Sequence, residues 1–583
     1  MATVSTSGGG SLHAFWPANR VARLYDLAVS THRRAVCLLI LTSLIAFLPG
    51  FSQIPPVDRD EPRYAQAAKQ MLQTGDYVDI RFQNQEANDK PVGIYWLQAA
   101  TVKIGEALGV PDARRAIWLY RMPSLIGAIG AILATYWCAL AFLSRRGAVL
   151  AALMMLASVL LGVEARLAKT DAVLLLTVIL AMGALARVYL PMREAKATRP
   201  GIGPPAILWT AVALGVLVKG LVILMIVGLT AIVLSILDRS WRWVLALRPL
   251  PGTAWAALLV LPWLVAISMR IGNAFLVDSV GHDTLGKLVN SQQGHGEPPG
   301  FYLLLFFVTF FPASVLTGMA APAVMAKRRE PAIRFLLAWL VPSWIVFELA
   351  VTKLPHYVLP LYPAVAILFA GAIESNMLSQ RLWLVRGAIW WFLAPLIFSG
   401  LVIAGAVVIG REPVLLSWPL LAGAIICGLL AWRLCTSKGA EQALIYAAAA
   451  SVLISVGVDG FVIPALSPLF PSPALARILH ESRCAHPVAA AAGYQEPSLV
   501  FLAGTSTVLT DGAGAADFLR QGRCRFAFIE ARQEPAFAAR AQTIGLRYDR
   551  RAGIGAFNLG HVQRISIAVF QSKDAGEKRR PID

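Results

Sequence analysis

The chain has 583 residues, of which 57% are hydrophobic and only 15% are charged. Soluble proteins carry about a quarter charged residues, so this composition excludes a soluble globular protein. The formal net charge of +19 would favour nucleic-acid binding in a soluble protein. In a membrane protein it is typical of basic cytoplasmic loops. We therefore expect an integral membrane protein that contacts membrane lipids and no nucleic acid.

Successive apolar runs along the chain are long enough to cross a bilayer as α-helices. The first run follows a polar segment without a small-residue cleavage site, which indicates a retained span and not a removed signal peptide. The runs predict about thirteen spans, at 36–51, 117–143, 148–163, 172–190, 206–218, 221–237, 253–270, 301–324, 333–351, 357–373, 383–409, 413–435 and 443–466.

Basic residues cluster at alternate ends of these runs and therefore on one side of the membrane, which is predicted to be cytoplasmic. The clusters include Arg33–Arg34, Arg145–Arg146 and Lys327–Arg329. This orientation places the N-terminus inside and the C-terminal segment outside. It predicts a cytoplasmic segment 1–35, a transmembrane catalytic domain 36–466 with outer loops 52–116 and 271–300, and an outer domain 467–583.

The first outer loop contains clustered acids and bases beside prolines and aromatic residues, DRDEPRY and NDKPVGIYW. Asp60 is predicted to cap a helix that ends at Gly75, with one apolar face lying flat on the membrane interface. A second helix is predicted from Pro91 to Gly109. Asp60 and Lys90 would then lie at the level of lipid phosphates, where Asp60 is a candidate catalytic acid as well as a cap.

The next outer turn, VEARLAKTD, places Asp171 directly before an apolar span. An acid in this position is costly unless it is paired or functional. Two interpretations stay open, because Asp171 can be catalytic or can simply pair with Lys169 or Arg166. Lys219, between two apolar runs, adds a cation on the same side.

Two later segments contribute further candidates. Loop 271–300 has the length and composition of a lid. It contains candidate ligands that could bind a divalent metal ion together with Asp89, although their spacing matches no compact metal motif: His282, Asp283, His295 and Glu297. The segment TKLPHYVLPLYP opens a span with Lys353, His356 and Tyr357. Cations that converge above a bilayer favour binding of a phosphate or diphosphate.

After residue 467 the apolar runs shorten to strand length and alternate with helix-like pieces, which predicts a small α/β domain outside the membrane. Its predicted strands are 487–494, 498–504, 525–531 and 564–571. Cys484 and Cys524 both fall in this domain, and the sequence leaves open whether they form a disulfide. The domain has no tight acid–base cluster, so we expect it to assist and not to catalyse.

Several of these motifs together resemble the bacterial aminoarabinose transferases that modify lipid A, and more broadly the GT-C glycosyltransferases related to protein O-mannosyltransferases. The motifs are DEPRYAQAAKQMLQTGDY, DKPVGIYW, ARLAKTD, KG and KLPHYVLPLYPA. The resemblance covers nearly the whole chain. It implies an α-helical polytopic membrane protein with the GT-C fold and a C-terminal periplasmic α/β domain, located in the bacterial inner membrane.

The resemblance also implies an inverting transferase that moves a sugar from a polyprenyl-phosphate carrier to lipid A or a related envelope acceptor. Its motifs correspond here to catalytic Asp60, Glu61 and Asp171, and to Arg63 and Lys90 for the donor phosphate. Lys353, Tyr357 and Lys219 are further phosphate candidates, and Asp89 stands where the family often has glutamate.

Two other functions remain as alternatives. A protein O-mannosyltransferase-like enzyme would use the same mechanism with a hydroxyl acceptor on a protein or glycan. A transporter of lipid-linked substrates would predict charges in mid-span and a repeat of broken helices, of which the sequence has few signs.

Overall fold

The computed structural model describes residues 18–87, 90–193, 201–272, 275, 296–410, 413–437, 439–558 and 563–573. Asp89, His282, Asp283 and His295, four of the predicted metal ligands, lie outside the described residues. The lid proposed for loop 271–300 also falls almost entirely outside them.

Apolar helices make up most of the described chain. The helices up to the second outer turn are α1 Ala18–Val29, α2 His32–Phe47, α3 Asp60–Thr74, α4 Gly93–Ala107, α5 Ile117–Ala139, α6 Arg145–Ala157 and α7 Val159–Glu164. Those that follow are α8 Asp171–Arg193, α9 Gly203–Lys219, α10 Val222–Leu237, α11 Arg242–Leu245, α12 Pro249–Ile271, α13 Phe301–Thr309, α14 Thr317–Ala326, α15 Pro331–Leu349, α16 Tyr362–Glu374, α17 Leu382–Arg386, α18 Trp390–Gly410, α19 Trp418–Ser437, α20 Ala440–Gly457 and α21 Ile463–Ala465.

Every predicted span coincides with a helix or a helix pair. Within the described residues, eight helices are long and apolar enough to cross a membrane alone, or up to ten spans if each bent pair counts as one. One bent pair consists of the helical segments Phe301–Thr309 and Ala313–Ala326, and its axis bends by 117° between them. Two further apolar helices, α9 and α10, are shorter, and the predicted span 148–163 is divided at Ser158 between α6 and α7. The protein is therefore a multi-pass membrane protein.

The first outer loop folds differently from the prediction at two points. Asp60 is the first helical residue and not the cap, because Arg59 occupies the cap position without a side-chain hydrogen bond. Gly75 ends the helix in the left-handed conformation (φ 75°), as predicted. Ten of the 15 residues of α3 are buried, so this helix does not present one apolar face to lipid. It packs between α4 and the outer domain.

The C-terminal region contains a five-stranded sheet covered by helices. Its elements are helices α22 Pro471–His480, α23 Pro497–Ala503, α24 Gly512–Leu519 and α25 Glu534–Thr543, with strands β3 Val488–Ala492, β4 Val508–Thr510, β5 Arg525–Glu530, β6 Tyr548–Asn558 and β7 Gln563–Ser572. A short hairpin of β1 Arg81–Phe82 and β2 Gln85–Glu86 precedes them in the first loop. The sheet order is β4-β3-β5-β7-β6, with parallel pairing on both sides of β3 and antiparallel pairing elsewhere.

The predicted strand 498–504 is wrong, because these residues form helix α23. A short apolar run does not distinguish a buried strand from a buried helix. Pro497 stands at the start of α23, where its fixed φ favours a helix. Two strands, β4 and β6, were not predicted.

The structure joins Cys484 and Cys524 in a disulfide, with Cα atoms 5.6 Å apart. We expect thiol titration of the denatured, unreduced protein to detect four thiols, and the same titration after reduction to detect all six. Six thiols without reduction would contradict the bond.

Candidate active site

The first outer loop is held against the membrane helices by a buried ion pair between Glu61 and Arg121. Both side chains are almost fully buried, and two parallel contacts join them, Nε to Oε1 at 2.7 Å and Nη2 to Oε2 at 2.9 Å. Arg121 also donates to the carbonyls of Phe51, Ile54 and Pro55. The pair therefore fixes both the start of α3 and the chain that leads to it.

Glu61 also connects the first outer loop to the second outer turn. Its Oε1 accepts a hydrogen bond from the Ala168 backbone at 2.9 Å, and its Oε2 accepts one from Val57 at 2.8 Å. Both carboxylate oxygens are thus committed to protein donors. The prediction that Glu61 is catalytic is corrected accordingly, because this residue supports the site and is not available to react.

Five ionisable side chains meet in a buried cluster, which we call the charge cluster: Glu164, Lys169, Asp171, Lys219 and His356. Lys219 donates to Asp171, and Lys169 lies 3.5 Å from Glu164 and 3.9 Å from Asp171. The His356 ring lies between the two acids, 3.7 Å from Glu164 and 3.8 Å from Asp171. The two acids and two lysines balance each other, which lowers the cost of burying them together.

The turn between α7 and α8 presents Lys169 and Asp171 to this cluster. Gln98 of α4 donates to the Ala168 carbonyl at 3.1 Å, and Ser124 of α5 donates to the Lys169 carbonyl at 3.1 Å. Burial alone would lower the pKa of Lys169, but the carboxylates of Glu164 and Asp171 raise it above its ordinary value. Lys169 is therefore a fixed positive charge of the site at neutral pH.

Two charged residues of the first outer loop, Asp60 and Lys90, interact with the charge cluster. Asp60 is exposed and interacts electrostatically with Lys169, and Lys90 is half-buried and interacts electrostatically with His356. Arg63 is exposed, one turn after Asp60. The structure thus brings together charges from four distant segments, around an accessible carboxylate.

Two of the predicted cations, Lys219 and Lys353, have other partners. Lys219 is paired with Asp171 and lies over the Tyr357 ring, 5.3 Å from its centroid. Lys353 donates to the carbonyls of Glu297 and Ala350, at 2.7 and 2.6 Å. These bonds use two of the three ammonium donors of Lys353 at the end of α15, which disfavours the predicted role as a phosphate ligand.

Arg166 also lies away from the charge cluster. It pairs with Asp459 at 3.3 Å and donates to the carbonyls of Pro49 and Gly162. Of the two pairing partners considered for Asp171, only Lys169 is therefore near it. A third residue, Lys219, lies closer to Asp171 than Lys169 does.

A metal ion could be bound only by Glu164, Asp171 and His356 among the residues that the structure describes. One ligand atom of each lies within 4.8 Å of the others, and Glu164 Oε2 is buried without a hydrogen-bond partner there. However, the ammonium groups of Lys169 and Lys219 already neutralise these acids. A divalent ion would add two positive charges to a balanced buried cluster, so this donor set does not fit a metal.

Arg121 was missed from the sequence, although a signal for it exists. It lies inside an apolar run, and a charge in such a position indicates a pairing or functional role. His356 was noted only as part of the KLPHY motif. Its contact with two acids from another segment could not be read from spacing.

Comparisons with known proteins agree with this architecture. Residues 58–275 match the family described as dolichyl-phosphate-mannose-protein mannosyltransferase. The chain is 27% identical over 352 residues to an undecaprenyl phosphate-alpha-4-amino-4-deoxy-L-arabinose arabinosyl transferase of Edwardsiella ictaluri, covering 58% of this chain and 59% of that protein. A Yersinia pestis protein of the same description is 27% identical over 362 residues, covering 61% of this chain and 62% of its own length.

Solved structures extend the similarity to nearly the full chain. The crystal structure of ArnT from Cupriavidus metallidurans bound to undecaprenyl phosphate superposes with a TM-score of 0.72 at 18% identity, covering 92% of this chain and 98% of that one. Its apo form gives 0.71 at 19% identity, covering 91% and 97%. This chain has the GT-C fold of the aminoarabinose transferases and is related to them in sequence. The resemblance and the fold expected from its motifs are confirmed.

Replacing Arg121 by Met should destabilise the protein by about 3–5 kcal/mol, because the Glu61 charge is left buried without its partner. Thermal unfolding of the purified protein in detergent measures the change. Adding Glu61→Gln should recover part of the loss, since the unpaired charge is then removed. The control is Arg270→Met, which breaks an exposed pair with Asp76 and should cost less than about 1 kcal/mol. Equal midpoints for the two single variants would contradict the role of the buried pair.

Proposed function

We propose that this protein transfers a sugar from a polyprenyl-phosphate carrier to lipid A or a related envelope acceptor, on the periplasmic face of the bacterial inner membrane. The observation that carries the proposal is the convergence of Asp60, Lys90, Asp171 and Tyr357, which are distant in sequence, around one cluster of charges. An accessible carboxylate beside cations suits a reaction in which a phosphate leaves and an acceptor is oriented.

The proposed chemistry needs no nucleotide. A polyprenyl-phosphate sugar already has a good leaving group, and cations stabilise the negative charge that develops on the departing phosphate. Arg63 and Lys90 are the candidates for this role, and Tyr357, whose ring contacts Lys219 and His356, is a candidate hydroxyl donor. With Lys219 paired to Asp171, its charge would act on the phosphate from a distance. A single displacement would invert the anomeric centre.

Asp60 is the proposed catalytic carboxylate, and Asp171 is proposed to orient the donor through the charge cluster. A hydroxyl acceptor would need Asp60 as a general base. A lipid A phosphate is already ionised, so Asp60 would then position the acceptor or the amine of the donor sugar. The names of the relatives favour an aminoarabinose donor, although the matched stretch spans only about three fifths of their length.

A protein or glycan hydroxyl acceptor is the second candidate. It is supported by the mannosyltransferase description of the family that matches residues 58–275. A transporter remains the less favoured alternative. Mass spectrometry of lipid A and of envelope glycoconjugates from a deletion strain separates these functions, because each predicts loss of a different product. An unchanged set of products would contradict transfer altogether.

Asp60→Asn should lower turnover roughly 100-fold or more, because the amide keeps the shape but has neither charge nor basicity. Transfer is measured with the purified protein in nanodiscs, using undecaprenyl-phosphate-linked aminoarabinose and lipid A. Asp112→Asn is a matched control, since Asp112 is an exposed acid of the same loop in the left-handed conformation (φ 48°) that asparagine tolerates. Wild-type turnover of Asp60→Asn on every acceptor would refute the assignment.

Lys90→Ala should lower turnover roughly 100-fold through loss of a charge on the leaving phosphate. Arg63→Ala should have a smaller effect, because Lys90 still compensates the phosphate. Lys103→Ala, which removes an exposed lysine from α4, serves as the control and should retain activity. If Lys90→Ala inserted, extracted and turned over normally, Lys90 would have no role at the phosphate.

A further inference from the structure

The outer sheet domain is attached to the catalytic loop by a buried polar contact region, which we call the loop–domain seam. On the loop side it consists of Asp58, Gln66, Lys69, Gln73 and Gln83, and on the domain side of Ser498, Phe501, Thr505 and Thr507. These two groups are more than 400 residues apart in sequence.

The contact nearest the site joins Asp58 to Ser498. Asp58 Oδ1 accepts from the Ser498 backbone at 2.9 Å, and Oδ2 accepts from its hydroxyl at 2.6 Å. The Ser498 hydroxyl is also bonded to that of Ser472 at 2.6 Å, which contacts the Tyr494 hydroxyl at 2.9 Å. A continuous chain of buried hydroxyl groups thus extends from the domain to a residue two positions before Asp60.

The rest of the seam secures α3 along its length. Lys69 is buried, donates to the Phe501 carbonyl at 2.7 Å, and lies over the Phe501 ring. Gln66 donates to the Thr505 hydroxyl at 2.8 Å, and Gln83 donates to the Thr507 carbonyl at 2.6 Å. The Phe501 ring packs into the apolar core that α3 forms with α4 and α12. Helix α3 is therefore buried between the membrane helices and the outer domain.

The two ends of the short segment 58–61 are fixed by different parts of the protein. Glu61 is bound to Arg121 in the membrane helices, and Asp58 is bound to Ser498 in the outer domain. Asp60 lies between these two fixed points. Its side chain makes no hydrogen bond to another described residue, so its position depends on the backbone on either side.

We propose that Ser498 and Asp58 are positioning residues of the active site, so that the outer domain sets the geometry of Asp60 and does not only assist in binding or folding. The proposal rests on the function proposed above for Asp60. It makes specific the expectation that this domain assists and does not catalyse.

The electrostatics of the seam support this role. Burial raises the pKa of the Asp58 carboxyl to about 7, with contributions from Glu496 and Glu61, while the hydrogen bonds from Ser498 lower it. Without the Ser498 hydroxyl, Asp58 would ionise less readily. The contact would then hold the segment less firmly at neutral pH.

The test compares Ser498→Ala and Asp58→Ala in the full-length protein in nanodiscs. Each should lower kcat about tenfold or more with a smaller change in KM for the donor lipid, because the donor contacts remain and Asp60 is misplaced. The kcat of the double variant should be no lower than that of the less active single variant, because both substitutions remove the same contact. Ser482→Ala, a hydroxyl in the same domain that bonds only within it to Leu479, should behave as wild type.

Hydrogen–deuterium exchange of residues 57–64 gives a readout that does not depend on turnover. Exchange there should increase in both seam variants and stay unchanged in Ser482→Ala, with the exchange of α8 as an internal reference. Wild-type kcat together with unchanged exchange in both variants would overturn the proposal. If the seam variants showed increased exchange but the wild-type protein transferred no sugar, the proposed function would be contradicted. The role of the seam in positioning residues 57–64 would still be supported.

Discussion

The buried pair of Arg121 and Glu61 is the interaction on which the outer part of the structure depends. A charge inside an apolar span is costly unless its partner and hydrogen bonds are present. Here the partner comes from the first outer loop, and the remaining Arg121 donors bind carbonyls of the chain leading into that loop. The loop cannot move away without leaving a charge unpaired. Because Glu61 also accepts from Ala168, the same pair aligns the first loop with the turn that carries Lys169 and Asp171.

The balance of charge within the cluster determines which charged side chains can interact with a substrate. Inside the charge cluster, Glu164 and Asp171 are balanced by Lys169 and Lys219, so none of these four is free to neutralise a substrate by itself. Asp60 and Lys90 interact electrostatically with this cluster, and both of them and Arg63 are at least partly accessible. In the proposed function, the leaving phosphate and the acceptor would therefore contact these accessible groups. The buried cluster would contribute an electrostatic field that does not change during the reaction. Such preorganised charge costs no rearrangement during the reaction.

Features that depend on local composition, such as the membrane spans, could be predicted from the sequence. Features that depend on contacts between distant residues were missed. The thirteen apolar runs all became helices, because a bilayer demands continuous apolar length. Asp60, Lys90 and Asp171 could be named as candidates because polar clusters beside spans stand out, and their roles stay predictions. Glu61 was misassigned and Arg121 overlooked because their pairing joins residues 60 positions apart. The burial of α3 was missed for the same reason, since its cover is supplied by α23, itself mistaken for a strand.

The extent of the family match suggests how one fold serves different acceptors. The matched range 58–275 includes Glu61, Arg121, Asp171 and Lys219, and it stops before Tyr357 and the outer domain. The anchored loop and most of the charge cluster lie within this range, and in the proposed function they handle the phosphate leaving group. In the proposed function an acceptor approaches the exposed Asp60, and the seam brings the outer domain next to the segment that carries it. Differences in acceptor are then expected to reside in that domain, and its attachment through Asp58 would couple acceptor recognition to the position of Asp60.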